Sequence, residues 1–146
     1  MQKKSTKSVI GRLEKIDLPE LALSDLDAKI DTGAYTSSLH CHDLKLVFKD
    51  GEQWVQFYVL DPQHPEYENR IFECPVHKIK SVKSSNGLTE ERVIIKQNAI
   101  FNGKKYKIQL SLANRSKMKF PVLIGRRFLN KKFIVDVSKR YLTLRK

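Results

Sequence analysis

The stretch Ala28-Lys29-Ile30-Asp31-Thr32-Gly33-Ala34 decides how the rest of the chain is interpreted. Two apolar residues alternate with a lysine before Asp31, which predicts a short strand that ends at the carboxylate. Gly33 permits backbone conformations, and a close approach of other groups, that a side chain would prevent. Asp, Thr and Gly are also ordinary turn formers, so a plain turn between two strands is the alternative interpretation. The functional interpretation is a strand end that aims one carboxylate into a cleft.

The composition indicates one globular domain without a membrane-spanning segment. The chain has 146 residues, of which 40% are hydrophobic and 30% are charged, and this length suffices to bury a core. No apolar run approaches the roughly 20 residues that cross a bilayer, and the basic first residues lack the apolar segment of a secretory signal. We therefore expect a cytoplasmic protein that does not bind a membrane. Residues 1–7 are expected to form a disordered basic N-terminus, and residues 8–146 a single domain.

The charge balance favours an acidic partner. Lys and Arg number 28 against 16 Asp and Glu, which gives a formal net charge of +12. The excess is distributed along the chain in several basic pairs rather than in one tail. An acidic peptide is one partner that such a surface attracts, and nucleic acid is a less favoured one. A basic solvated surface without a specific partner is the alternative.

Turn signals divide the chain into short segments of strand character. Asp50-Gly51 and Asn102-Gly103 each lie between alternating apolar runs, and each predicts a hairpin. Residues 122–124 are wholly apolar before Gly125, which is typical of a strand buried on both faces, and residues 126–130 are expected to form the one short helix. The other predicted strands include residues 9–16, 70–74, 76–82, 133–137 and 141–144. This pattern predicts an all-β barrel or sandwich.

Two cysteines with nearby histidines raise the alternative of a zinc-stabilised domain. Cys41 lies between His40 and His42, and Cys74 precedes His77 by three positions. The second pair has a spacing that zinc ligands use, but neighbouring residues of a strand point to opposite faces. Burial of the cysteines as small apolar side chains is the other interpretation. The chain has no His-Glu-x-x-His motif, so we predict no metal ligand in the catalytic site and no cofactor.

A second motif far downstream joins the Asp31 motif in a resemblance to a known family. This second motif is Leu123-Ile124-Gly125-Arg126, which is followed by the predicted short helix. The two motifs together resemble those of the retropepsin-like aspartic peptidases. The whole chain is similar to the family known as ATP-dependent zinc proteases, which is associated with ATP-grasp ligases that add glutamates to a ribosomal protein. The matching stretches are residues 29–39, residues 83–87 with Glu91 and Arg92, and residues 115–128. The resemblance covers roughly residues 8 to 144.

The resemblance implies a closed retropepsin-like acid-protease barrel with one short helix after Gly125. It implies an aspartic endopeptidase whose catalytic dyad takes one Asp31 from each chain of a homodimer. The substrate would be a peptide or a protein, and acidic ones are among the candidates. Thr32 and Gly33 complete the implied catalytic set. Thr32 would hydrogen-bond across the dimer axis, and residues 84–87 would act as a flap over the substrate. The implied substrate-binding residues are Ala34, Ser84, Ser85, Asn86, Gly87 and Arg126.

One departure from the family pattern concerns the partner of Arg126. Retroviral enzymes have an acidic residue where this chain has Tyr35, so the implied partner of the arginine is missing. Asp136 and Glu91 are the substitutes that the sequence offers. A non-catalytic basic module that binds acidic peptide or RNA is the alternative function.

Overall fold

The computed structural model describes residues 7–60, 62–83, 86–113 and 120–144. Within these ranges the chain is built from strands, one 3-10 turn and one short helix. The strands are β1 (Ser8–Gly11), β2 (Leu13–Leu18), β3 (Leu23–Ile30), β4 (Ser37–Lys49), β5 (Glu52–Val59), β6 (Phe72–Pro75), β7 (Lys78–Lys83), β8 (Thr89–Phe101), β9 (Lys104–Ala113), β10 (Val122–Ile124) and β11 (Phe133–Asp136). The 3-10 turn is Pro19–Leu21, and the helix α1 is Arg126–Leu129. The predicted all-β class with one short helix after Gly125 is confirmed.

The main sheet closes on itself. Its nine strands run in the order β10-β3-β2-β8-β9-β4-β5-β6, with β7 attached to β8. Because β10 also pairs antiparallel with β4, the strands β10, β3, β2, β8, β9 and β4 form a ring of six. The parallel pair β1–β11 forms a separate small sheet. The ring is consistent with the predicted retropepsin-like fold.

Both predicted hairpins are confirmed. Asp50 and Gly51 connect β4 to β5, and Asn102 and Gly103 connect β8 to β9. All four residues have positive φ angles, from +52° at Asp50 and Asn102 to +78° at Gly51. Two successive left-handed residues match the twist of the flanking strands, and this explains why Asp-Gly and Asn-Gly mark these turns.

The predicted strand over residues 141–144 is wrong. This segment has no strand pairing and is held instead by the carboxylate of Glu14, which is fully buried. Glu14 accepts hydrogen bonds from the main-chain nitrogens of Gly11 at 2.6 Å, Leu142 at 2.9 Å and Thr143 at 3.0 Å. The side chain replaces the ladder that a neighbouring strand would have supplied, so periodicity alone could not reveal the arrangement.

The predicted single strand over residues 9–16 is two strands that separate at Arg12. The main-chain nitrogen of Arg12 donates to the carbonyl oxygen of Lys139 at 2.8 Å. A β-carbon on Gly11 would lie 2.4 Å from that same oxygen. The close crossing of the Lys139 segment therefore interrupts the strand.

The core is one cluster to which the ring and the β5–β6 extension both contribute. Phe57 on β5 and Phe72 on β6 pack into it with their ring centroids 6.5 Å apart. Near α1, Phe101 packs edge-on against Phe128 at 5.6 Å and against Phe133 at 5.3 Å. These aromatic contacts fix the helix on the sheet, directly behind the loop that contains Asp31.

Candidate active site

Asp31 is placed by the pairing of two strands that are distant in sequence. β3 and β10 run parallel, with Ile30 opposite Ile124. At the end of β3 the main-chain nitrogen of Asp31 donates to the carbonyl oxygen of Ile124 at 2.8 Å. The carboxylate therefore leaves the sheet at a fixed point, where two buried strands end together.

The carboxylate of Asp31 is held by the turn that follows it. The main-chain nitrogen of Gly33 donates to Asp31 Oδ1 at 2.9 Å, and that of Ala34 donates to the Asp31 carbonyl oxygen at 3.3 Å. A β-carbon on Gly33 would lie only 3.2 Å from the same Oδ1. Asp31 is half-buried, whereas Thr32 and Gly33 are exposed. The turn thus orients one carboxylate at a surface that solvent or substrate can reach.

Gly125 allows the segment before α1 to lie directly against the Asp31 loop. A β-carbon at this position would lie 2.7 Å from the carbonyl oxygen of Tyr35 and 2.8 Å from that of Ala34. The main-chain nitrogen of Gly125 donates to Ser37 Oγ at 3.0 Å. The next nitrogen, of Arg126, donates to the Ala34 carbonyl oxygen at 2.8 Å. The segment before α1 therefore packs directly behind the Asp31 loop, and Ser37 contributes a contact that the sequence did not reveal.

Arg126 contacts the Asp31 loop through its side chain as well. Its Nη1 donates to the carbonyl oxygen of Thr32 at 3.0 Å. Its guanidinium carbon lies 5.8 Å from the centroid of the Tyr35 ring, a distance at which a cation is attracted to an aromatic face. A main-chain carbonyl and an aromatic ring therefore take the place of the acidic partner.

Neither expected substitute pairs with the arginine. Among the residues that the structure describes, Asp136 and Glu91 form no ion pair with Arg126. Asp136 Oδ1 instead accepts from the hydroxyl of Ser138 at 2.6 Å and from its main-chain nitrogen at 3.0 Å. These two hydrogen bonds lower the pKa of the Asp136 carboxyl because they stabilise its charged form.

A cleft of about 240 Å³ opens beside Asp31. The residues that line it come from the Asp31 loop and from five strands of the main sheet: Asp31, Ala34, Thr36, Ser38, Lys80, Arg92, Ile94, Ser111 and Leu123. Lys80 and Arg92 face each other across the β7–β8 pair. Arg92 also lies 3.8 Å from Glu90 in an exposed ion pair, which is a weak interaction in water. Lys80 and Arg92 therefore place two cations at the border of the cleft. Among the described residues that line it, Asp31 supplies the one carboxylate.

Ser38 places a polar atom in the wall of this cleft. Its side chain is 6% exposed, and its Oγ has no hydrogen-bond partner in the described part of the chain. Ser38 lies opposite Ser111 on the parallel pair β4–β9. Buried hydroxyls are ordinarily hydrogen-bonded, so Ser38 Oγ needs a partner that the described part of the chain does not supply. Ser111 occupies an ordinary polar position in the alternation of β9, so the sequence carries no signal for its place in the cleft.

The predicted flap residues are only partly described. Ser84 and Ser85 lie outside the described residues. Asn86 and Gly87 are exposed between β7 and β8, where Gly87 has a φ of +84° and the Asn86 side-chain oxygen accepts from the nitrogen of Leu88 at 3.2 Å. They do not line the cleft, although the two strands that carry them supply its cations.

The other predicted site residues divide between two cavities. Asp31 and Ala34 line the cleft, whereas Thr32 and Arg126 line a separate, wider cavity of about 890 Å³. Tyr35 and residues that follow α1 also border this second cavity. Residues of the one loop therefore line two different cavities, Asp31 and Ala34 the cleft and Thr32 the wider cavity.

The zinc alternative is not supported. No group of three or more His, Cys, Asp or Glu residues with the arrangement of a metal site occurs in the described ranges. Burial raises the pKa of Cys41 to about 12 and that of Cys74 to about 11. Both cysteines are free and buried, as in the interpretation that treats them as small apolar side chains.

The helices of the described ranges are a single 3-10 turn and the four-residue α1, and none is long and apolar enough to cross a bilayer.

Comparison with protein families assigns the chain to a known group. The family model described as RimB-like, for the retropepsin-like aspartic endopeptidase RimB, matches residues 9–146. The chain belongs to the RimB-like family. The resemblance inferred from the Asp31 and Gly125 motifs is therefore confirmed at the level of the family.

Curated relatives of the family carry a different name. A probable alpha-L-glutamate ligase from Desulfotalea psychrophila is 35% identical over 140 residues, which cover 93% of this chain and 29% of that protein. A probable alpha-L-glutamate ligase from Shewanella pealeana is 32% identical over 139 residues, covering 92% of this chain and 30% of that protein. The chain thus spans less than a third of the length of these relatives.

A solved structure has the same fold. The crystal structure of a Legionella pneumophila protein of unknown function (DUF785) matches with a TM-score of 0.77 and 26% identity. The match covers 95% of this chain and all of the other. The RimB-like fold is therefore shared over nearly the whole length of both proteins.

Proposed function

We propose that the chain is an aspartic endopeptidase whose catalytic dyad consists of Asp31 from each of two copies. The observation that carries this proposal is the fixed carboxylate at the joint end of β3 and β10, beside a cleft, in a chain of the RimB-like family. Each copy offers one such carboxylate. A twofold axis would bring the two together through a self-complementary interface.

The chemistry follows from the proximity of two carboxylates. At a separation of about 3 Å they cannot both ionise readily, so the pair shares one proton. The ionised member takes a proton from a bound water, which attacks the scissile carbonyl, while the protonated member polarises the carbonyl oxygen. Gly33 holds each carboxylate through its main-chain nitrogen, and Thr32 is proposed to hydrogen-bond across the axis. The pKa values belong to the pair and not to either copy.

The cleft favours an acidic side chain in the substrate. Lys80 and Arg92 bring two positive charges to its wall, and the hydroxyls of Ser38 and Ser111 add polar atoms. A carboxylate in this position would gain charge-assisted hydrogen bonds. The ligase name of the relatives agrees with this preference, since a peptidase that acts beside a glutamate ligase would meet glutamate-rich peptides.

The experiment compares wild-type protein with Asp31→Asn on an acidic peptide whose cleavage is followed by mass spectrometry. The substitution preserves size and removes the charge, so we expect no cleavage and an unchanged thermal unfolding curve. Asp50→Asn is the matched control, because Asp50 lies in an exposed turn with a φ of +52° that Asn also adopts. Cleavage by Asp31→Asn at the wild-type rate would refute the proposal.

Mixing the two proteins tests whether the site is shared. With equal amounts of wild-type and Asp31→Asn chains at exchange equilibrium, the proposal predicts about half the activity of the same wild-type amount alone, because half of those chains enter mixed dimers. An activity that is unaffected by the variant would show that one chain suffices.

A non-catalytic binding module is the second candidate function. The net charge of +12 supports it. The relatives also support it, because they are named as ligases and the region that matches this chain is less than a third of their length. Such a module would bind acidic peptide or RNA with a steep salt dependence. Its binding would be equal in the wild type and in Asp31→Asn, and neither protein would cleave the peptide.

A further inference from the structure

A third cavity, of about 320 Å³, lies on the face formed by α1 and the β8–β9 hairpin. It is lined by Ser37, Lys96, Lys107, Ile108, Gln109, Arg127, Phe128 and Lys132, and we call it the basic pocket. Four of these residues are cations, and the lining contains no Asp or Glu. None of the four cations forms an ion pair with a described acidic residue. The pocket thus concentrates positive charge that the fold leaves uncompensated.

Two of the cations are held in place by neighbouring groups. Lys132 Nζ donates to the main-chain carbonyl oxygen of Phe128 at 3.0 Å and lies 5.2 Å from the centroid of the Phe128 ring. Arg127 Nη1 donates to the hydroxyl of Tyr35 at 3.3 Å, and its main-chain nitrogen donates to the Tyr35 carbonyl oxygen at 2.9 Å. Ordering these long side chains in advance reduces the entropy that a ligand must overcome.

His77 is a neighbouring group that experiences the same positive charge. Partial loss of hydration lowers the pKa of its imidazole, although the residue is exposed, and the charges of Lys96, Lys78 and Arg127 lower it further. Two of these three cations belong to the basic pocket. Cations that disfavour a protonated histidine would favour an anion in the same region.

We propose that the basic pocket binds an oligophosphate anion, either free or as the phosphate chain of a nucleotide. The volume is at the lower end of those that bind small molecules, and four exposed cationic residues line it. An oligophosphate carries several negative charges within a few ångströms, so one compact ligand can neutralise them together. Arginine and lysine are the side chains that bind phosphate oxygens.

An acidic peptide fits this pocket less well. An extended chain advances about 3.3 Å per residue and points alternate side chains to opposite sides. A cavity of about 320 Å³ would therefore receive only one or two of its carboxylates. The remaining cations would stay unpaired, whereas a phosphate chain engages all four.

The test is isothermal titration calorimetry of the full chain with inorganic tripolyphosphate at physiological ionic strength. We expect saturable binding, weakened at least about tenfold in the double variant Lys96→Gln/Lys107→Gln, since each lysine supplies a charge-assisted contact. The double variant Lys45→Gln/Lys139→Gln removes equal charge from exposed positions outside the pocket. An equal loss in both variants, or no saturable binding to the wild type, would overturn the proposal.

Two further titrations define the ligand. If a nucleoside triphosphate binds more tightly than tripolyphosphate, the ligand of the pocket is a nucleotide. If the two affinities are equal, the ligand is the free oligophosphate. If pentaglutamate or an RNA oligonucleotide binds more tightly than tripolyphosphate and loses affinity in the pocket variant, the oligophosphate assignment is wrong. Asp31→Asn should bind tripolyphosphate as the wild type does, so this result is independent of the proposed peptidase activity.

Discussion

A β-carbon on Gly125 would lie 2.7 Å from the carbonyl oxygen of Tyr35. At this contact the segment after β10 meets the loop after β3. The position of the Asp31 carboxylate therefore depends on residue 125 being a glycine, which has no side chain. The neighbouring atoms are main-chain atoms, which cannot move aside as the end of a flexible side chain could.

We predict that Gly125→Ala destabilises the fold by about 1–3 kcal/mol, because the methyl group overpacks a site bounded by backbone. We also expect peptidase activity to fall more than stability, since the Asp31 loop must shift. Denaturant unfolding and cleavage assays measure the two effects. Gly51→Ala is the control: nothing lies within 4 Å of its added β-carbon, and its φ of +78° accounts for a loss of about 1 kcal/mol. Equal effects at both glycines would contradict the steric argument.

The cations of the cleft should control the choice of substrate. We predict that Lys80→Gln and Arg92→Gln each raise the KM for a peptide with an acidic side chain about tenfold and leave a neutral peptide unchanged. Steady-state kinetics on matched acidic and neutral peptides measure this difference. Lys83→Gln, on the opposite face of the same strand, should have no such effect. A uniform loss on both peptides would indicate structural damage instead.

The buried carboxylate of Glu14 should be essential to the C-terminal segment. Its two oxygens accept hydrogen bonds from three main-chain N–H groups. Glu14→Gln replaces one of these oxygens by an NH₂ group, so that a donor faces a main-chain N–H and the hydrogen bond is lost. We expect a loss of about 2 kcal/mol in the free energy of unfolding and faster hydrogen exchange at Leu142 and Thr143. The exposed Glu52→Gln should change neither quantity. Unaltered exchange in Glu14→Gln would show that the segment is held by other contacts.

The two thiols should be unreactive in the folded protein. At about pH 8 an ordinary cysteine is partly ionised, but burial raises the pKa of Cys41 to about 12 and of Cys74 to about 11. Both therefore remain protonated, and only the thiolate is nucleophilic. We predict no labelling by iodoacetamide under native conditions and complete labelling in guanidinium chloride, measured by mass spectrometry. Fast native labelling of Cys41 would contradict its burial.

The sequence was most informative where a local pattern and its structural cause coincide. Asp50-Gly51 specified its hairpin because the turn type needs two left-handed residues. The Asp31 and Gly125 motifs specified their packing because few residue types fit it. Residues 141–144 were misassigned because a distant side chain, Glu14, takes the place of a neighbouring strand, and such a contact leaves no local periodicity.

The candidate site could be predicted only in its local part. Asp31 and its turn are contiguous in sequence, and Ala34 follows them into the cleft. Lys80, Arg92, Ser38 and Ser111 reach the same cleft through strand register, which a single sequence does not specify. The partner of Arg126 was missed for a related reason, because main-chain carbonyls are present at every position and so carry no sequence signal.

The loop that follows β3 is secured mainly by main-chain atoms. Asp31 bonds to Ile124, Arg126 to Ala34 and Arg127 to Tyr35 through backbone groups, which are the same for almost every residue type. Substitutions at Tyr35 or Thr36 can therefore change what surrounds the carboxylate while its position is retained. Such a site is free to acquire new substrate preferences over generations of mutation without first losing the geometry on which its chemistry depends.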